Sequence, residues 1–310
     1  MTPVATTGHY PLRSETRALL KVAGLDPDDV LHVIERAAVE DLGAIGDVTS
    51  AATVSPDATM AGSYVTRQAG VVAGLPVLVA VFEHCLGDDA TVELLSRDGE
   101  RVQPGQAIAR VEAPAVGLLA TERLSLNLLG HLSGIATLTR AWVDAIAGTA
   151  ARIRDTRKTT PGLRDLEKYA VRCGGGVNHR RGLDDGVLIK DNHVAAAGGV
   201  GQALDRVHQA YPATAMPVQV EVEVDDLAQL EEALAHGARE VLLDNFDDAA
   251  LRTAVTLVRQ RQPEVVIEAS GGLTLDRAAA VARTGVDYLA VGALTHSAPI
   301  LDIGLDTETG

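Results

Sequence analysis

From Ala151 onward the sequence alternates with a regularity that few architectures satisfy. Strand-like runs end near Arg157, Lys190, Glu223, Asn245, Gly271 and Ala293, and helix-period stretches at 227–236, 248–261 and 275–283 separate the later ones. Consecutive βα units imply parallel strands, and right-handed crossovers then wrap six of them into a closed or nearly closed barrel. In such barrels the loops after the strands carry the chemistry. Every strand end here holds something of chemical use: Arg157 and Lys158, Lys190 and Asp191, Glu223, Asp244, Ser270 with Gly271, and Gly292. Chance explains one or two polar strand ends, not all six.

The chain before Ala151 lacks this alternation. Residues up to about 23 carry no constraining pattern. Pro27-Asp28-Asp29 starts a helix through Val30, Val33, Ile34, Ala37 and Ala38, which residues 40–43 close. Gly46-Asp47-Val48-Thr49-Ser50 is a polar turn, either a cap or part of a site. Strands at 60–66, 91–95 and 107–112 with a helix-like 75–85 make a small α+β layer. Residues 98–115 have the hairpin rhythm of domains that carry biotin or lipoate on a lysine. No lysine lies between Lys21 and Lys158, so covalent carriage is excluded and a plain hairpin is expected. In 118–147, Leu124, Leu128, Leu132, Ile135 and Leu138 fit one or two buried helices, with Gly130 and Gly134 permitting close packing.

Charge narrows the function. The formal net charge is −15, yet three of the four lysines, Lys158, Lys168 and Lys190, fall within 154–193, beside Arg157, His179, Arg180 and Arg181. A cationic pocket in an acidic chain suits a small polyanion. Nucleic acid and membrane surfaces are excluded as partners, since counterion release needs a basic face. Cys85 and Cys173 cannot build a disulfide framework, the N-terminus lacks a signal peptide's apolar stretch, and no apolar run is long enough to span a bilayer. The cytoplasm is the expected compartment.

Three constellations follow. Glu268-Ala-Ser-Gly-Gly-Leu-Thr and Val291-Gly-Ala-Leu-Thr-His end strands and open helices, where Ser270, Gly271 and Gly292 let backbone N–H groups approach a phosphate. Glu223 and Asp244 end consecutive strands and can bind a sugar diol, hold Mg²⁺, stabilise developing positive charge, or merely pair with the cations. Arg157, His179, Arg180 and Lys190 can clamp carboxylates. Arg164 and Arg181 read as solvated charges and Lys168 as the polar face of a helix.

The runs Asp155-Thr-Arg-Lys-Thr-Thr-Pro-Gly-Leu-Arg, Glu167-Lys-Tyr-Ala-Val-Arg, Gly174-Gly-Gly-Val-Asn-His-Arg and Leu188-Ile-Lys-Asp-Asn-His resemble the quinolinate phosphoribosyltransferase family. Glu122-Arg-Leu-Ser-Leu-Asn, Glu221-Val-Glu-Val, Leu242-Leu-Asp-Asn, Ser270-Gly-Gly and Val291-Gly-Ala-Leu-Thr extend the likeness over nearly the whole chain. The resemblance implies an N-terminal open α/β sandwich with linking helices over 1–148. It implies a C-terminal incomplete α/β barrel of parallel strands over 149–310, the last residues returning to the first domain. It implies transfer of phosphoribosyl from phosphoribosyl pyrophosphate to quinolinate with loss of CO₂, with Mg²⁺ as cofactor and Glu223 and Asp244 as its ligands. A homodimer, or a dimer-based hexamer, with shared active sites is implied as well. Arg157, His179, Arg180 and Lys190, with Arg123 of the partner subunit, would contact quinolinate. Lys158, Glu223 and Asp244 would serve phosphoribosyl pyrophosphate, and Ser270, Gly271 and Gly292 its 5′-phosphate. Arg181 and the segment 211–217 stand outside this correspondence. A nicotinate-using transferase, a relative associated with molybdate uptake and a non-catalytic phosphosugar-binding barrel are the alternatives.

Overall fold

The computed structural model describes residues 8–211 and 218–308, so nearly all of the 211–217 segment lies outside the described residues. Two compact units emerge, one of Met1–Arg140, Thr159–Gly175 and Thr295–Gly310, the other of Ala141–Lys158 and Gly176–Leu294.

The chain opens with α1 (Ser14–Val22), a correction to the expectation that residues before 23 are unconstrained. Its signal in the sequence is faint because only Thr16 and Leu20 of its nine residues are buried. Helix α2 (Pro27–Leu42) starts where Asp26 accepts from the N–H of Asp28 and proline takes the first turn, which needs no donor. The polar turn before α3 (Val48–Thr53) is a cap, with the Asp47 carboxylate accepting from the N–H groups of Thr49 and Ser50. Then come β1 (Thr59–Thr66), β2 (Gly70–Val71), α4 (Leu75–Leu86), β3 (Thr91–Leu94), β4 (Arg101–Val102), β5 (Ala107–Pro114) and the 31-residue α5 (Ala115–Ala145).

After β6 (Arg152–Arg154) and α6 (Arg164–Cys173), strand and helix alternate. The order is β7 (Gly186–Ile189), α7 (Asp191–Ala197), α8 (Val200–Ala210), β8 (Gln219–Val224), α9 (Leu227–Ala235), β9 (Glu240–Asp244), α10 (Asp248–Arg261), β10 (Val266–Ser270), α11 (Leu275–Ala282), β11 (Tyr288–Ala290) and α12 (Ala293–His296). Strand β12 (Ile303–Glu308) ends the described chain.

In the first unit an antiparallel sheet, β12-β1-β5-β3, packs Tyr64, Ile108 and Val111 with Phe82, Leu118 and Leu129. The hairpin expected within 98–115 does not form: β4 pairs with β2, and β5 lies between β1 and β3. Register explains this, because β5 continues the eight-residue apolar alternation of β1 whereas β4 offers only two ladder residues. Gly134 does permit close packing, since a Cβ there would lie 2.0 Å from the Pro299 carbonyl oxygen. Lys168 is buried, not on a polar face, because Leu166–Val171 of α6 are all enclosed.

In the second unit six parallel strands run β6-β11-β10-β9-β8-β7 and do not close, leaving β6 and β7 as edges. Val177 adds a parallel bridge to Arg154 on the β6 edge. Asp226 and Asp247 cap α9 and α10 through their carboxylates, setting where each loop ends. No described helix is long and apolar enough to cross a membrane.

Candidate active site

Alternation along a strand divides side chains between two faces, so Gln219-Val-Glu-Val-Glu-Val turns its valines one way and Glu221 and Glu223 the other. Register carries that inner face across the sheet. Glu221 lies beside Glu240 and Glu223 beside Leu242; Leu242 lies beside Glu268, Asp244 beside Ser270, and Glu268 beside Tyr288. Two tiers result, an outer one at the strand ends and an inner one within the sheet.

The outer tier holds the expected carboxylates. Lys190 Nζ lies 2.5 Å from Glu223 Oε2, so the ion pairing that competes with a substrate role is present. Burial raises the Asp244 carboxyl, Lys190 and Lys158 oppose that rise, and Asp225 and Asp191 reinforce it. Lys158, Lys190, Glu223 and Asp244 are thus brought together at one rim. Asn245, the one non-glycine with positive φ (57°) among the described residues, donates its N–H to the Ser270 carbonyl and its Nδ2 to Asp244 Oδ2 at 2.6 Å. Gly271, at φ 85°, passes so close that a Cβ would sit 2.2 Å from Asn245 Oδ1. Only glycine fits there. At Gly272, also positive in φ, a Cβ would meet open space, which leaves backbone accessible. Gly292 is half-buried immediately before α12.

Arg157 and Arg180 are both half-buried. Burial and the neighbouring Arg157 charge lower the pKa of Arg180, which Asp185 and Glu221 partly offset. Arg180 Nη1 donates to the Gly186 carbonyl at 2.8 Å, at the start of β7, whereas Lys190 follows its end. The cationic residues therefore straddle one strand. Arg181 is exposed, its N–H donating to Asp185 Oδ2, and Arg164 is half-buried with Nε donating to Thr159 Oγ1. Arg123, in the first unit, is exposed on α5 between buried Thr121 and Leu124.

The inner tier was not singled out from the sequence. Arg154 Nη1 donates to Glu240 Oε1 at 2.7 Å and to Glu268 Oε2 at 2.6 Å, and the guanidinium stacks 4.2 Å from the Tyr288 ring centroid. Burial, reinforced by Glu240, pushes Glu221 up to about 8; burial, reinforced by Glu221, pushes Glu268 up to about 8. One guanidinium cannot neutralise three enclosed carboxyls. A cavity of about 210 Å³ opens among Arg154, Asn178, His179, Arg180, Glu221 and Glu240. Donor atoms of His179, Glu221 and Glu268 lie within 4.8 Å of one another, but Arg154 already supplies the positive charge at Glu268. The signal that marks this tier is charge at every second strand position, as in Glu221 and Glu223.

The Asn178–Arg180 turn is tied to Asp155, just past β6, and to Glu221 of the inner tier. The Asp155 carboxylate, fully buried, accepts from the His179 N–H at 2.8 Å and from Asn178 Nδ2 at 2.6 Å. His179 Nε2 lies 2.8 Å from Glu221 Oε2, and the Arg180 N–H donates to His179 Nδ1 at 2.7 Å.

Comparison with known proteins matches residues 135–306 to the C-terminal domain and 47–133 to the N-terminal domain of the quinolinate phosphoribosyl transferase family model. The chain is 54% identical over 280 residues to a carboxylating nicotinate-nucleotide pyrophosphorylase of Mycobacterium leprae, covering 90% of this chain and 97% of that one. It is 38% identical to a decarboxylating quinolinate phosphoribosyltransferase of Nicotiana tabacum, over 91% of this chain and 83% of that one. Among solved structures, the nicotinate-nucleotide pyrophosphorylase of Francisella tularensis superimposes with a TM-score of 0.85 at 34% identity, covering 92% of this chain and 98% of that one.

Proposed function

We infer, because this chain belongs to the quinolinate phosphoribosyltransferase family, that it joins quinolinate to the phosphoribosyl group of phosphoribosyl pyrophosphate. The products are nicotinate mononucleotide, pyrophosphate and CO₂, a step of de novo NAD biosynthesis. The observation that carries the residue assignment is the convergence of Lys158, Lys190, Glu223 and Asp244 at one rim of the open barrel.

Each side chain has work suited to its chemistry. Breaking the bond at the ribose anomeric carbon develops positive charge on the sugar, which Glu223 and Asp244 stabilise electrostatically. Lys158 offsets charge on the departing pyrophosphate. Arg157, Arg180 and Lys190, with His179, hold the two quinolinate carboxylates, and Ser270, Gly271 and Gly292 receive the 5′-phosphate. The pyridine nitrogen is then the nucleophile. Once ribosylated the ring is cationic, and the carbanion left by CO₂ is stabilised by that adjacent nitrogen until it takes up a proton from solvent to give nicotinate mononucleotide. The protein's part is to hold the reactants and exclude water.

The donor set fits Mg²⁺, since Glu223 and Asp244 offer hard oxygens and the raised Asp244 carboxyl, with Asp225 and Asp191 nearby, lies where added positive charge is favourable. Bound there, Mg²⁺ would supply Lewis-acid charge to the pyrophosphate. A monocarboxylate such as nicotinate would leave part of the three-cation clamp without a partner, which favours the diacid. We place the reaction in the cytoplasm, in keeping with two free cysteines, and in a homodimer or dimer-based hexamer in which the partner subunit's Arg123 completes the clamp.

The test is release of CO₂ from carboxyl-labelled quinolinate, which must require phosphoribosyl pyrophosphate. Arg123→Ala and Lys158→Ala homodimers should each be nearly inactive. Random mixing of the two makes half the dimers hybrids with one intact site, so about a quarter of wild-type activity should return. Wild type that releases no CO₂ would end the reading, and hybrids that stay inactive despite confirmed exchange would end the shared site.

A further inference from the structure

Both ring nitrogens of His179 are taken up inside the protein. The Arg180 backbone N–H can only donate, so His179 Nδ1, 2.7 Å away, accepts and carries no proton. The ring proton is therefore on Nε2, which donates to Glu221 Oε2 at 2.8 Å, with Glu268 Oε1 further off at 3.8 Å. An imidazolium would set two donors against each other at Nδ1. A neutral histidine is the form this surrounding accepts.

Glu221 stands at the centre of that arrangement. It is 3% exposed, its Oε1 has no hydrogen-bond partner among the described residues, and it feels the charges of Arg154, Arg180 and Lys190. Through His179 it reaches the Asn178–Arg180 turn from below, while Asp155 holds the same turn through the His179 N–H and Asn178 Nδ2. With its backbone pinned at two neighbouring points, Arg180 has a defined origin from which to project its guanidinium. A bidentate contact to a carboxylate depends on that direction, because a planar fork misaligned by an ångström loses most of its benefit.

We propose that Glu221 is a positioning residue for the pyridine dicarboxylate substrate, locking His179 as its neutral Nε2–H tautomer so that the turn presents Arg180 in register with a substrate carboxylate. His179 then acts by geometry, and the clamp's positive charge comes from Arg157, Arg180 and Lys190. The proposal rests on the substrate reading above. It adds a residue outside the expected site and replaces a charged role for His179 with an orienting one.

The experiment compares wild type, Glu221→Ala and Glu221→Gln by steady-state kinetics and by ¹⁵N NMR of histidine-labelled protein, the His179 signals being assigned by their loss in His179→Gln. In wild type at pH 7, His179 should give the neutral Nε2–H pattern. Glu221→Ala should lose that pattern and raise KM for quinolinate at least about tenfold, leaving KM for phosphoribosyl pyrophosphate within about twofold. Glu221→Gln keeps an acceptor oxygen and should bring the quinolinate KM back within about threefold of wild type. A wild-type His179 that is Nδ1–H or imidazolium would overturn the proposal, as would a Gln variant more than about tenfold impaired toward quinolinate. If Glu221→Ala does not fold, the wild-type spectrum and the Gln variant still decide. The NMR readout needs no turnover, so a failure of the assigned reaction shows as absent CO₂ release with the tautomer intact.

Discussion

The antiparallel sheet of the first unit buries Tyr64, Ile108 and Val111 among Phe82, Leu118 and Leu129, while the parallel sheet of the second buries Arg154, Glu221, Glu240 and Glu268 on its inner face. The difference is also visible in how each handles a histidine–glutamate pair. In the first unit Glu167 accepts from His131 Nε2 at 2.9 Å and from the Thr160 N–H at 3.0 Å, so both carboxylate oxygens are used. In the second, Glu221 accepts from His179, but its Oε1 and that of Glu268 are buried with no hydrogen-bond partner among the described residues. Hydrocarbon burial stabilises wherever it occurs, whereas a carboxyl group enclosed short of counter-charge costs stability and persists where a site benefits.

Two substitutions sharpen that contrast. The largest effect is expected from Arg154→Ala, which leaves Glu240 and Glu268 enclosed without their cation and should cost about 3–5 kcal/mol in urea unfolding near pH 8. Phe82→Ala in the first unit should cost a similar amount, about 3–5 kcal/mol, by leaving a cavity. The costs differ in kind. Lowering pH relieves the first by protonating the carboxyls and leaves the second unchanged; equal pH dependence of the two would break the distinction.

A smaller effect is expected from Glu268→Gln. The Glu268 pKa of about 8 lies above the ordinary 4.5, with Glu221, Arg154 and His179 as the groups that face it. The folded protein thus holds this proton more tightly than the unfolded chain, and the stabilisation is complete below about 4.5 and lost as pH rises through about 8. The Gln variant lacks this loss. Its Tm relative to wild type should rise by a few degrees between pH 5 and pH 9 in scanning calorimetry. A difference that stays flat or falls would show that Glu268 is ionised throughout.

Much of the second unit was legible because its signals are local. A helical period set α10 at 248–261, and the glycines after β10 marked a turn that the Asn245 contact makes obligatory at Gly271. The outer tier was legible because strand ends are where a βα barrel works. The inner tier was not, although Glu221 and Glu223 alternate in plain view, because nothing in one strand says that three others bring Arg154, Glu240 and Glu268 to the same face. The tautomer of His179 depends on the next residue's N–H and on a carboxylate 42 positions away from the histidine. In the first unit the sparse burial of α1 and the pairing of β4 with β2 were decided by tertiary packing rather than local pattern.

The central claim is that the buried charge of the second unit serves the site and not the fold. Arg154→Met, Glu240→Gln and Glu268→Gln combined remove the cation and the two carboxyls it pairs with while keeping Glu221, which should leave unfolding free energy within about 1 kcal/mol of wild type or above it. Release of CO₂ from quinolinate in the presence of phosphoribosyl pyrophosphate should nevertheless fall by about tenfold or more, since Glu221, which orients His179, loses the Arg154 and Glu240 charges that face it. A triple variant that is stable and turns over at the wild-type rate would contradict the account, and would make the inner tier a matter of packing alone.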